Sequence, residues 1–440
     1  MTWLTRYRIR HYVSNSFWIL PLASILPALV AAMLLHAIEE AADWESTLHP
    51  DTARAVLGTL ASSMFTFIVF VCSALLVSVQ LASAQLTPRI IGIVFRDPVT
   101  KLSTTLFVFA FAFTLAVMVR VDSLVYRFSA TAAAYSCLLS LAVFLYLIDH
   151  VGRSLRPSGA VWSVARFGRD VIESVYPQRL AEATRALPSS ADLLDDDLAV
   201  TICSPRDGVI LAFDSAGLVS LAQRTECVIE MVPQVGDFVA ADDPLFRISR
   251  ANVPSAALSQ SVAIGQERTL EQDPAFVFRI LVDIASKGLS PAINDPTTVV
   301  LAIDQIHHLL RNVGSRFLGD GRVRDSAGHL RLLYRTPNWD DFVYLAVTEI
   351  RHFGSESIQV ARRLRAMLED LLRTLPEERH PLLRQELNLL HRSAERSFSE
   401  PEDRELAGVS DLQGVGGKSA KNQSRGSLDD GRKGIEVTLQ

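Results

Sequence analysis

Four apolar stretches, each long enough to cross a bilayer, occupy the first third of the chain and constrain everything after them. They run from Phe17 to Ile38, Val56 to Leu81, Leu102 to Val119 and Ala130 to Ile148. About 20 mainly apolar residues suffice for one transmembrane helix. Charge follows the same division. Residues 1–150 of the 440 carry 9 Lys or Arg and 8 Asp or Glu, whereas residues 151–440 carry 34 and 40. A charge-poor front joined to an ordinary back is a membrane region plus a water-soluble one. That excludes a purely soluble protein, a collagen-like chain and a wholly disordered one. The net charge is −5 and no basic block stands out, so the partner expected is the lipid bilayer and not nucleic acid.

Basic residues near the span ends set the orientation. Arg6, Arg8 and Arg10 precede span one; Arg89, Arg96 and Lys101 separate spans two and three; Arg153, Arg156, Arg166 and Arg169 follow span four. The first-to-second loop has Arg54 amid Glu39, Glu40, Asp43, Glu45 and Asp51, with Trp44 among them. Both termini are therefore expected in the cytoplasm. Cys72, Cys137, Cys203 and Cys227 form no CxxC or Cys/His spacing, which indicates neither zinc nor a disulfide framework.

Span two carries the most information. Thr59, Thr66, Ser73 and Gln80 recur every seven residues, about two helical turns, and so form one small, polar stripe. Such a stripe either lets helices approach closely or lines a watery path made by several copies. Span three, with Phe107, Phe109, Phe111 and Phe113, is expected to face lipid. Ionisable residues are scarce within the spans, which argues against a carboxylate relay and leaves a passive channel open.

The expected fold class is a four-helix transmembrane region plus a mixed β/α cytoplasmic region. The divisions are a membrane domain over 1–152, an amphipathic helical connector over 153–198, a small β-rich module over 199–250, a mostly helical domain over 251–400 and a disordered tail over 401–440. The connector, with Val161, Trp162, Phe167, Val171 and Val175, suits either the leaflet surface or a seat on the cytoplasmic domain. In the β-rich module, Ser-Pro-Arg-Asp-Gly-Val (204–209), Val-Gly-Asp-Phe-Val (235–239) and Pro244-Leu245 resemble the barrel-sandwich fold of biotinyl and lipoyl domains. No Lys lies in 199–250, so the resemblance implies shape alone, and no cofactor is expected.

Asp273-Pro274 and Asp295-Pro296 each place a capping side chain before a proline at the first helical position. Between those helices runs a junction containing Ser290, Pro291, Asn294, Asp295 and Pro296. Asp304, His307 and His308 on the second helix, with Asp283 on the first, form a polar cluster. It is either a solvated face with local pairing or a weak metal site. Strands are expected near 329–334 and 342–347. A helix from about Ser355 carries Ala361, Leu364, Leu368, Leu371 and Leu375 at 3-4-3-4 spacing.

Several of these segments together resemble a bacterial family of predicted membrane proteins, domain of unknown function 2254. They are Gln80 through Gln85-Leu-Thr-Pro-Arg89, Phe95-Arg-Asp97, the Gly-Asp-Phe-Val segment, and above all LVDIASKGLSPAINDPTT (281–298). The resemblance covers roughly residues 10–395, with one departure, Lys287-Gly288, where a more helix-friendly pair is expected. It implies a four-span inner-membrane protein with a cytoplasmic domain and transfers no catalytic residue. Two functions follow as expectations: a homo-oligomeric channel or transport protein with a cytoplasmic regulatory domain, or a membrane-anchored sensory or scaffolding protein with a protein partner. An enzyme is not expected, because no convergent acid, base or nucleophile is evident.

Overall fold

A computed structural model describes residues 2–42, 49–121, 127–182, 200–249 and 253–417. Trp44 and its acidic neighbours, the end of the connector and the chain from 418 onward lie outside the described residues. The membrane region begins with α1 (Trp3–Asn15), followed by α2 (Ile19–Ala23) and α3 (Ile25–Ala41), α4 (Pro50–Gln85), the short α5 (Ile91–Arg96), α6 (Pro98–Val119) and α7 (Arg127–Ser154). Among the described residues, four helical stretches are long and apolar enough to cross a membrane: Ile19–Ala41, Pro50–Gln85, Pro98–Val119 and Phe128–Ser154. Their outward faces carry exposed Leu26, Met33, Phe65, Phe70, Leu138 and Leu145, which an apolar solvent accommodates and water does not.

Span three corrects the sequence expectation. Helix α6 is the centre of the bundle, packed against α2, α3, α4 and α7. Phe107 and Phe113 are buried, and Phe107 meets Phe67 of α4 edge-on at 5.1 Å. Aromatic content does not distinguish lipid-facing from bundle-facing surfaces, because both are apolar.

The extramembrane region starts with α8 (Pro157–Val175). Its apolar face, Ala160, Val161, Val164, Ala165, Val171 and Ile172, is buried against α11 (Pro274–Gly288) and α12 (Pro296–Gly314). The connector's apolar face is therefore used in packing on the extramembrane core. Gly168 makes the approach close: a Cβ there would lie 2.4 Å from Val277 Cγ1. The same core takes in α13 (Trp339–Phe353), α14 (Ile358–Thr374) and α15 (His380–Ser397), with Phe278, Phe342, Val347, Leu364 and Leu383 buried at its centre.

Beside it, among the described residues, stand two sheets. Strands β1 (Val200–Cys203), β2 (Gly208–Phe213), β3 (Ile229–Met231), β4 (Phe238–Val239), β5 (Pro244–Ile248), β6 (Val262–Gly265), β7 (Arg322–Arg324) and β8 (Leu330–Tyr334) order as β1-β5-β3-β8-β7 and β4-β2-β6. Helices α9 (Ser215–Arg224) and α10 (Ser255–Ser259) contribute Leu218 and Leu258 to the core of this unit. The β unit thus recruits strands from beyond residue 250, with β3 pairing β8 in parallel.

Two further expectations change. Residues 342–347 belong to α13 and not to a strand. Asn338 and Asp341 form a reciprocal capping box, and Trp339, Phe342, Val343, Ala346, Val347 and Ile350 are buried at helical spacing. The region expected to be disordered from 401 opens instead with α16 (Pro401–Ala407). Beyond it the guanidinium of the fully buried Arg362 donates to the carbonyls of Val409, Gly416 and Gly417 at 3.1, 3.0 and 2.8 Å. Asp411 gathers the N–H groups of Gln413, Gly414 and Gly416.

Candidate functional site

Helix α4 has 36 residues, about 54 Å at 1.5 Å per residue, against about 30 Å of hydrocarbon. The excess carries its C-terminal end toward the extramembrane core. There Leu86 is buried among the α8, α11 and α12 residues, and the hydroxyl of Thr87 accepts the N–H of Arg89 to shape a tight turn. Arg89 pairs with Asp283 of α11, and its guanidinium lies 5.7 Å from the centre of the Phe276 ring. Asp283 also accepts from Arg279 Nε at 2.7 Å, and Arg279 grips Glu349 of α13 with two bonds of 2.5 and 2.9 Å. Charges therefore alternate along Arg89, Asp283, Arg279 and Glu349. Burial and the neighbouring guanidiniums of Arg279 and Arg268 push the Arg89 pKa down. The Arg279 bond holds Glu349 below the usual carboxylate range. One turn further, Lys287 Nζ stands 3.4 Å from the Ser83 carbonyl oxygen, in the last turn of α4.

This arrangement follows from helical spacing. Arg279, Asp283 and Lys287 are four residues apart and share one face of α11, while Val277, Ile280, Leu281 and Ile284 fill the core from the other.

A second hub ties down α1. Glu271 Oε1 lies 3.1 Å from His11 Nδ1 and 3.0 Å from an Arg96 terminal nitrogen. Arg96 also donates to Asn15. Burial raises the Glu271 pKa, but the His11 bond, the Tyr7 hydroxyl and the Arg96 charge outweigh it and leave the carboxyl below its ordinary value.

The expected junction residues form the turn between α11 and α12. Ser290 Oγ donates to the Lys287 carbonyl at 2.7 Å, and the Asn294 N–H donates to the Ser290 carbonyl at 2.8 Å. Asn294 adopts φ +44°, a left-handed conformation that Asn tolerates better than most residues. The Asp295 N–H returns to the Gly288 carbonyl at 2.8 Å, and its side chain caps α12 by accepting from Thr298 N–H at 3.1 Å. Pro296 then occupies the first helical turn, while Pro291 lies on the exposed surface.

The polar cluster divides. Asp283 belongs to the span-two contact. Asp304, on α12, accepts from Arg363 Nε of α14 at 2.6 Å, and His307 Nε2 lies 2.9 Å from Asp370 Oδ2. Arg363 also reaches His307 Nδ1 at 3.3 Å, so Nδ1 accepts and Nε2–H donates to Asp370. Burial lowers the His307 pKa, and the Arg363 and Arg311 charges reinforce it over the opposing pull of Asp370. His308 is exposed and has its pKa lowered by partial burial and by Arg169 and Arg311. Among the described residues no group of three or more His, Cys, Asp or Glu is placed to share a metal ion.

Thr59, Thr66, Ser73 and Gln80 are all exposed, on the face of α4 away from its packing residues Leu57, Ala61, Met64, Val71, Leu75 and Val79. The stripe makes no packing seam within one chain. The hydroxyls of Thr59, Thr66 and Ser73 donate to the carbonyls of Ala55, Ser62 and Val69, four residues back, at 2.9, 3.1 and 2.9 Å.

Sequence reasoning missed Glu39. It reads as part of an acidic loop, yet it is fully buried and accepts the N–H groups of Phe128 and Ser129 at 2.6 and 2.8 Å, capping α7. No local signal announces a cap whose first N–H partner lies 89 residues later.

Comparison with known proteins agrees with this architecture. The model of the family described as predicted membrane protein (DUF2254) matches residues 14–370, and the chain belongs to that family. An uncharacterized protein of Mycobacterium bovis and one of Mycobacterium tuberculosis strain H37Rv are each 26% identical over 428 residues, covering 91% of this chain and 80% of theirs. No solved structure matches the chain.

Proposed function

We propose that this member of the family is a homo-oligomeric channel or transport protein of the bacterial inner membrane. In this reading both termini are cytoplasmic and the extramembrane region regulates span two. One observation carries it: the helix that presents Thr59, Thr66, Ser73 and Gln80 away from its own bundle is joined at its C-terminal end to the extramembrane core through Arg89 and Asp283. Several copies of α4 facing one another would line a polar path, and a shift of α11 would reach it through a charged contact. No covalent chemistry is assigned. Purified protein in a planar bilayer tests the reading: discrete currents altered by Gln80→Leu support it.

The other reading, a membrane-anchored sensory or scaffolding protein with a protein partner, rests on a different detail. Three of the stripe's hydroxyls are satisfied by their own helix, so most of the stripe can face lipid without an unpaired donor. A partner that co-purifies with wild type and is lost on Asn294→Ala, from protein that conducts nothing, would favour it.

A further inference from the structure

A cavity of about 340 Å³ opens between the ends of α1, α6, α7 and α8, clear of the span-two contact. Its walls include Pro98, where α6 begins, and Ser154, where α7 ends. It therefore lies at the membrane–water boundary of the leaflet facing the extramembrane region, at headgroup depth. Its charges are of two kinds. Arg96 is neutralised by Glu271 at 3.0 Å, and Asp97 sits 3.0 Å from His150 while capping α6. Arg166 and Asp170 also line the cavity, one turn apart on α8. Neither has an ion-pair or hydrogen-bond partner among the described residues. The Arg166 guanidinium instead rests 5.7 Å from the centre of the Trp162 ring, which Arg169 flanks at 5.8 Å. Trp162 is half exposed, as interfacial aromatics are. The hydroxyls of Ser154 and Ser163 line the same space and make no hydrogen bond among the described residues. Among the described residues the cavity thus offers one unpaired cation, one unpaired anion and, with Ser14, three free hydroxyls.

We propose that this cavity binds a phospholipid headgroup carrying both a phosphodiester and a primary ammonium. Arg166, Ser154 and Ser163 donate to the phosphate oxygens, and Asp170 accepts from the ammonium. A purely anionic headgroup satisfies Arg166 and leaves Asp170 facing like charge. A quaternary ammonium offers Asp170 no N–H.

The test uses delipidated full-length protein, native mass spectrometry and an equal mixture of phosphatidylethanolamine, phosphatidylglycerol and phosphatidylcholine. Wild type should retain phosphatidylethanolamine over the other two by roughly tenfold, the scale of one charge-assisted hydrogen bond. Asp170→Asn should abolish that preference, and Arg166→Gln should lower retention of all three. Inorganic phosphate should not displace the lipid. Equal retention of the three lipids by wild type, a preference for phosphatidylglycerol, or displacement by inorganic phosphate would each overturn the proposal. The wild-type preference decides even if a variant fails to fold.

Discussion

Arg89, four residues beyond the last residue of α4, forms an ion pair with Asp283 in the middle of α11. The pair connects α4 to the helix in which the run 281–298 begins. Asp283 is shared with Arg279, which holds α13 through Glu349, so α11 is joined to the end of span two by charge as well as by packing around Leu86.

Asp283→Asn leaves Arg89 and Arg279 facing each other without their shared anion. Asp283 is mostly buried but the Arg89 side chain is 46% exposed, so solvent screening holds the loss to about 1 kcal/mol. The melting temperature in detergent should fall, and adding Arg89→Met should recover part of the loss, because it removes the stranded cation. Identical melting of wild type and Asp283→Asn would show that the pair does not stabilise the contact.

Arg362→Met should free the segment from Val409 to Gly417. Three carbonyls lose their common donor, and a charge-assisted bond of this kind contributes about 1.5–3 kcal/mol. Limited proteolysis should cut within 408–417 about tenfold faster or more in the variant. Equal cutting rates would contradict the clamp.

His307 makes the α12–α14 contact sensitive to pH. Its pKa in the fold is depressed below the ordinary 6.5. Between the two values the unfolded chain binds a proton that the folded chain refuses, so stability falls as pH drops through about 6.5. Asp370, held low by Arg373 and His307 against the raising effect of burial, contributes in a separate, more acidic window. Melting curves from pH 7.5 down to 5.5 should show a decline that flattens in His307→Gln. Parallel curves for the two proteins would remove His307 as the cause.

Glu271→Gln weakens the hub that holds α1 to the rest. Amide hydrogen exchange across Trp3–Asn15 should rise severalfold, with little change across α12. Unchanged exchange in α1 would mean that stacking of Trp3, Tyr7 and His11 suffices.

The spans and the helix starts at Asp273 and Asp295 were legible because their causes are local: an apolar run, a capping carboxylate, a proline. Both capping aspartates do accept from the N–H three residues on. The α13 start was legible in principle, since Asn338 and Asp341 have capping-box spacing, but an apolar run of six suits strand and helix alike. The order of the tail was not legible, because its polar composition says nothing of a buried arginine about 50 residues earlier in the chain. The partners of the polar cluster were hidden for the same reason: Arg363 and Asp370 lie 59 and 63 residues from Asp304 and His307. Nor could the seven-residue period of the stripe say which side of α4 packs. The apolar residues at 57, 61, 64, 71, 75 and 79 decide that only once α6 and α7 are in place.

Conductance of purified wild-type protein in a planar bilayer, beside Gln80→Leu, decides between a channel and a membrane-anchored scaffold. Wild type should show discrete currents whose amplitude or open time changes in the variant, because Gln80 lies on the polar, exposed face of α4. A silent bilayer with demonstrably folded protein, or currents identical in the two proteins, would contradict the channel.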